Sequence, residues 1–158
     1  MPTLTYIPLQ TITLGSAASS VTFASIPQTY RDLVVSIGGT SSGGSSPSLR
    51  FNGDSGTNYT IIRMYATPAT SASQSFTAAY GSIGFMNTEQ STVLASIFDY
   101  SASDKHTTVL SRGGNTDTIR AEGFRWANTS PITSVNVGFD GAQTYSVGTV
   151  ISLYGIEA

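Results

Sequence analysis

Short segments in which apolar and hydroxyl side chains alternate one for one, separated by turn residues, constrain this chain more than any other feature. Val21 and Phe23 alternate with Ser20 and Thr22, and Leu33, Val35 and Ile37 share one face. Leu49 and Phe51 stand opposite Ser48 and Arg50, and Val135, Val137 and Phe139 alternate with Asn136 and Gly138. A period of two belongs to a strand with one face on a core and the other in water. Strand-like segments run over 3–14, 20–26, 32–37, 48–51, 58–66, 74–85, 92–100, 107–111, 118–126, 132–139 and 149–156. Helix formers are scarce, with three Glu and a single Lys in 158 residues. This spacing predicts one all-β domain over 1–158, an antiparallel two-sheet β-sandwich of jelly-roll-like type.

Two polar stretches, 38–47 and 68–75, read as loops, the first of them flexible. The segment 3–14 is strand-prone but holds Pro8, which confines it to an edge strand or an extended arm; it is expected to add a strand to a neighbouring subunit. Asn52-Gly53, where both residues tolerate positive φ, predicts a hairpin turn between its flanking strands.

Water must be held by hydroxyls here, because charged residues make up only 10% of the chain while it carries 24 Ser and 22 Thr. Seven Lys+Arg against nine Asp+Glu give a net charge of −2, which excludes a cationic nucleic-acid surface as the main function. No apolar run reaches the roughly 18 residues of a membrane span, and no secretory leader is read in 1–14, so neither nucleic acid nor membrane is an expected partner. The absence of cysteine removes disulfides, thiolate catalysis and Cys-based zinc sites together.

Constellations with chemical potential are thin. Asn52, Asp54 and Asn58 have the odd spacing of a calcium loop, but Thr57 and Arg63 stand where such a loop needs Gly and Glu. His106 is the only histidine, beside Lys105 and near Asp99 and Asp104, and no Gly-x-Ser-x-Gly elbow accompanies it. The nine acids show no paired arrangement for glycoside hydrolysis, and Gly113-Gly114 lacks the Lys of a phosphate loop. No catalytic residue, metal or cofactor is therefore assigned. Trp126, with Phe124 on the same strand face, reads first as core or interface packing; with Tyr80 and Tyr145 it is also a candidate for an exposed sugar-stacking platform.

Several stretches together resemble a family of tailed-bacteriophage virion structural proteins, small β-rich proteins of aquatic-phage type. They are Val21-Thr22-Phe23 leading to Ile26-Pro27-Gln28-Thr29-Tyr30 and Leu33, and Ser48-Leu49-Arg50-Phe51-Asn52-Gly53-Asp54 with Asn58-Tyr59. Asp99-Tyr100 with Lys105, Trp126 with Ile132-Thr133-Ser134, and Ser152-Leu153-Tyr154-Gly155-Ile156 complete the likeness. The resemblance implies a non-enzymatic virion component, foremost a capsid decoration (cement) protein bound to the major capsid protein or other virion proteins. The alternative is a tail- or fibre-associated carbohydrate-binding module that contacts host surface glycans. A homo-oligomer, trimer or dimer, is expected from particle symmetry. Thr3, Leu4, Thr5, Tyr6, Ile7, Arg50, Asn52, Asp54, Asn58 and Trp126 are the candidate interface residues. Among the charges Arg50, Asp54, Arg63, Asp99, Lys105, Arg112, Arg120 and Arg125, several are expected to pair with neighbouring subunits.

Overall fold

A computed structural model describes residues 5–157, and every regular element in them is a strand. In chain order these are β1 (Tyr6–Thr13), β2 (Ser20–Phe23), β3 (Asp32–Gly39), β4 (Pro47–Phe51), β5 (Tyr59–Ala66) and β6 (Ser71–Ala78). They are followed by β7 (Gly81–Ser82), β8 (Ser91–Phe98), β9 (Thr107–Gly114), β10 (Ile119–Trp126), β11 (Val135–Phe139) and β12 (Val150–Ile156). Eight of them form one antiparallel sheet in the order β1-β12-β3-β8-β9-β10-β5-β6; the other four form a second, β2-β11-β4-β7. The chain changes sheet at almost every step in its first and last thirds and meanders through β8, β9 and β10 between, a jelly-roll-like sandwich.

The alternation expected from the residues places the core between the sheets. Leu33, Val35 and Ile37 from β3 and Val93, Ala95 and Ile97 from β8 meet Leu49 and Phe51 from β4 and Val135 and Val137 from β11, all fully buried. At one end, Phe51, Tyr59, Phe124 and Trp126 form an aromatic cluster with ring centroids 5.4–6.5 Å apart. Such contacts add to the stabilisation from area burial alone.

Four sequence readings change. The segment 74–85 is two strands in different sheets: β6 pairs with β5, while β7 pairs with β4. The break falls before Gly81, where a Cβ would lie 2.2 Å from the Phe124 ring, so the chain passes tightly beneath that side chain. Within 68–75 only the turn is irregular: the Thr67 N–H donates to the Thr70 carbonyl at 2.8 Å and strand pairing resumes at Ser71. The glycine-serine stretch 38–47 is tethered, not flexible, because Ser41 bridges to Tyr145 and Ser45 to Met86. The strand expected over 132–139 begins at Val135, because Asn52 Oδ1 accepts the N–H groups of Thr133 and Ser134 and takes them from the ladder.

β1 pairs with β12 of its own chain at the end of the large sheet. Over its described part the segment 3–14 is thus an edge strand and not a free arm, with one side bonded to β12 of its own molecule and the other at the sheet edge. A register shift between Pro8 and Gln10 moves the inward phase from Ile7 and Leu9 to Ile12, which keeps apolar side chains on the core despite the proline.

Candidate functional site

The turn after β4 takes the backbone the sequence implies. Asn52 and Gly53 have φ of 52° and 73°, and the Asp54 N–H donates to the Phe51 carbonyl at 2.9 Å. It does not close a hairpin, however: β4 lies in the small sheet and β5 in the large one, so residues 52–58 carry the chain across the sandwich. The side chains follow that task. Asn52 turns away toward the 131–134 segment, its amide donating to the Pro131 carbonyl at 2.9 Å. The Asp54 carboxylate accepts from Trp126 Nε1 at 2.7 Å, Asn58 Nδ2 at 2.9 Å and the Gly56 N–H at 2.8 Å. Asn52 Oδ1 thus takes the Thr133 and Ser134 N–H groups and Asn58 presents its amide nitrogen to Asp54, so these side chains serve the turn and not a calcium loop.

This corner is a structural clasp with an acid dependence. Burial pushes the Asp54 carboxyl up, but the indole N–H, the Asn58 amide and the Gly56 N–H outweigh it and hold the group below its ordinary range. Burial also pushes the Tyr59 phenol up to about 12; its hydroxyl accepts the Phe51 N–H at 3.0 Å and donates to the Asp54 carbonyl at 3.3 Å. A carboxyl lowered on folding contributes stability that is complete above its unfolded pKa of about 3.9 and fades as pH falls through the folded value. Asp54→Asn is expected to cost about 1–2 kcal/mol at pH 6 by the loss of charge-assisted bonds. In urea titrations the gap between wild type and variant is expected to narrow at pH 3; a gap of equal size at both pH values contradicts this.

Two further expectations are corrected. Trp126 and Tyr145 are 1% and 0% exposed, so neither offers a ring to a sugar or a partner, and Trp126 leaves the set of interface candidates. Tyr80 is half-buried with the Arg50 guanidinium 5.9 Å from its ring centroid, while Arg50 Nε donates to the Ala79 carbonyl at 3.0 Å. Of the interface candidates at the other end, Thr3 and Leu4 lie outside the described residues. Thr5 and Tyr6 are exposed and Ile7 is half-buried. The Tyr6 ring packs edge-on against Tyr154. His106 is exposed beside the Lys105–Asp99 ion pair of 2.8 Å.

Charges expected to pair between subunits are partly spent inside the molecule. On the inner face of β5 and β10, Arg63 Nε donates to Glu122 Oε1 at 2.9 Å, and Arg120 Nη1 lies 3.8 Å from the same oxygen. Arg63 also donates to Ser82 at 2.8 Å and Arg120 to Ser46 at 2.7 Å; Arg120 lies over the Phe85 ring at 4.3 Å. Burial and the neighbouring Arg63 charge both lower the Arg120 pKa. The cluster ties β7 and the 38–47 segment to the large sheet.

The outer face of the large sheet was not singled out by the sequence reading. Its register sets Ser75, Ile62, Gly123, Leu110, Ser96, Val34 and Tyr154 in one row across seven strands. The next row holds Met64, Ala121, Arg112 and Leu94, and the next Ala66, Ile119 and Gly114. Ile62, Met64, Leu110 and Ile119 are 63, 63, 60 and 67% exposed. Ile62 and Leu110 lean over Gly123, where a Cβ would come within 3.2 Å of Leu110 Cδ2. Shallow depressions of about 290 and 430 Å³ lie at Met64–Gly123 and at Leu94–Ile119. The outward positions of β5, β8, β9 and β10 carry two charges, Arg112 and Arg125, and no acid. Contiguous exposed apolar side chains on one sheet face make this the candidate interaction surface. Its signal in the sequence is the pair of adjacent apolar residues, Ile61-Ile62 and Val109-Leu110, which breaks the alternation and makes both strand faces apolar.

No family model matches the chain, and no curated protein matches it. Among solved structures it is similar to the galectin LEC-6 of Caenorhabditis elegans, with 4% identity, 94% of this chain and 96% of that chain covered, and a TM-score of 0.39. A tetrameric galectin from the ball sponge Cinachyrella sp. matches at 12% identity, 87% and 99% coverage and a TM-score of 0.39. The alginate lyase Aly36B matches at 13% identity, 94% and 81% coverage and a TM-score of 0.38. At identities and TM-scores this low they carry no argument about what this chain does.

Proposed function

We propose that the protein is a non-enzymatic structural component of a tailed-phage virion, a capsid decoration protein that docks on the major capsid protein through the outer face of its large sheet. The observation that carries the reading is that face: Ile62, Met64, Leu110 and Ile119 stand in water, and among the described residues the outward positions of β5, β8, β9 and β10 carry only the charges of Arg112 and Arg125. The partner it fits is an apolar surface edged by carboxylates. Two further features support the assignment. The stretches from Val21 to Ile156 resemble virion proteins, and the low net charge limits repulsion between crowded copies.

Co-sedimentation with purified capsids that lack the protein tests the reading. Saturable binding at a lattice-defined stoichiometry, with a raised temperature of genome release, is expected. Absence of capsid binding overturns it, as does retention by cell-surface polysaccharide in place of capsids or a copy number per virion of only a handful.

A further inference from the structure

We infer that two copies of this chain join their large sheets edge to edge through β6, about a two-fold axis at Gln74. The inference does not rest on the virion reading. It begins with the four sheet edges. β2 and β7 are four and two residues long, and β1 is interrupted by Pro8 and by the register shift that follows it. Each of these is a recognised way of blunting an edge. β6 has none of them: eight residues in regular register with β5, no proline, glycine or charge, and every side chain from Ser71 to Ser75 exposed.

The hydrogen-bond phase of β6 fixes what its free side offers. Because the Thr67 N–H donates to the Thr70 carbonyl, that pair is of the hydrogen-bonded kind, and the pairs alternate along an antiparallel ladder. Tyr65/Ala72, Arg63/Gln74 and Ile61/Phe76 therefore bond within the sheet. Ser71, Ser73, Ser75 and Thr77 turn their main-chain N–H and C=O groups outward.

A second copy matches this array without adjustment. Side chains facing each other across an antiparallel pair must lie on the same sheet face, so a two-fold pairing centres on a residue and not between two. Centring on Gln74 sets Ser71 against Thr77 and Ser73 against Ser75 of the other copy, and satisfies every outward group from Ser71 to Thr77 in both. Centring on Ser75 leaves those of Ser71 outside the overlap. In the favoured register the two Gln74 side chains meet as a non-hydrogen-bonded pair on the inner face, where each amide can donate to the other. Nothing on the strand repels its own image. The outermost strands after pairing are the two blunted β1 edges, so growth stops at the dimer.

The chain has no cysteine, which makes single-cysteine cross-linking of the full-length protein a direct test. Non-hydrogen-bonded neighbours, with Cα atoms about 4.5 Å apart, fall within disulfide range. Sedimentation equilibrium of the wild type is expected to give a dimer. Under mild oxidation Gln74→Cys is expected to form a covalent dimer at least about ten-fold faster than Ser75→Cys or the turn variant Ser55→Cys. The double variant Ser73→Lys/Ser75→Lys is expected to be a folded monomer by circular dichroism and sedimentation. A monomeric wild type, or a dimer that survives both lysines, overturns the interface. Faster cross-linking through Ser75→Cys overturns the register.

Discussion

Replacing Glu122 by alanine is expected to destabilise the fold by about 3–5 kcal/mol, the range for removing one partner of a buried ion pair. The carboxylate is fully inaccessible and, among the described residues, is the only acid paired with Arg63 and Arg120, whose own side chains are 15% exposed. Without it two guanidinium groups share a half-buried space with no compensating charge. Burial first and then the Arg63 charge lower the Arg120 pKa, and the Glu122 charge opposes both. The serine bonds from Ser46 and Ser82 are too weak to substitute for it, since a net hydrogen bond is worth only about 0.5–1.5 kcal/mol. The check is a urea midpoint that falls while the slope stays constant. Replacing all three residues with apolar side chains of similar volume is expected to recover most of the loss, because then no buried charge is left alone. A single-variant loss below about 1 kcal/mol contradicts this account.

That cluster also shows where sequence reasoning stops. Period-two alternation was enough to place most strands and the residues Leu33, Val35, Ile37, Leu49, Val135 and Val137 on the core side. On β5 and β10 the same rule inverts. Arg63, Arg120 and Glu122 face inward, while Ile62, Met64 and Ile119 face water. The cause is what lies opposite them: β7 and the 38–47 segment bring Ser46 and Ser82 against Arg63 and Arg120 in place of apolar side chains. Which segment arrives opposite a strand is a long-range property, and no local pattern encodes it. Trp126 was misplaced for a related reason. Its strand and its shared face with Phe124 were legible, but its burial depends on Phe51 and Asp54 arriving from the opposite sheet. The Asn52-Gly53 turn was legible from φ preference alone, whereas its use as a crossover between sheets was not.

The double variant Ile62→Glu/Leu110→Glu is expected to weaken capsid association at least about 100-fold while leaving the fold intact. Both side chains lie mostly in water, so the substitutions open no cavity, and their effect on unfolding is expected to stay within about 1 kcal/mol. At the interface they place two carboxylates either side of Gly123, where an apolar, acid-edged partner has nothing to neutralise them. The edge-to-edge dimer sharpens the expectation. A two-fold axis perpendicular to the sheet turns both outer faces to the same side, so one dimer presents two docking faces to one lattice. Retention then gains from effective concentration as well as from contact chemistry. Breaking the dimer with Gln74→Lys, which sets two lysines against each other at the two-fold axis on the inner face and leaves the outer face untouched, is accordingly expected to speed dissociation from capsids. The face variant is expected to weaken binding per subunit whether or not the dimer forms. Surface plasmon resonance on immobilised capsids separates the two: the lysine variant changes the off-rate with density-dependent avidity lost, and the glutamate variant lowers affinity at every density. Undiminished binding by the glutamate variant removes the outer face from the docking surface.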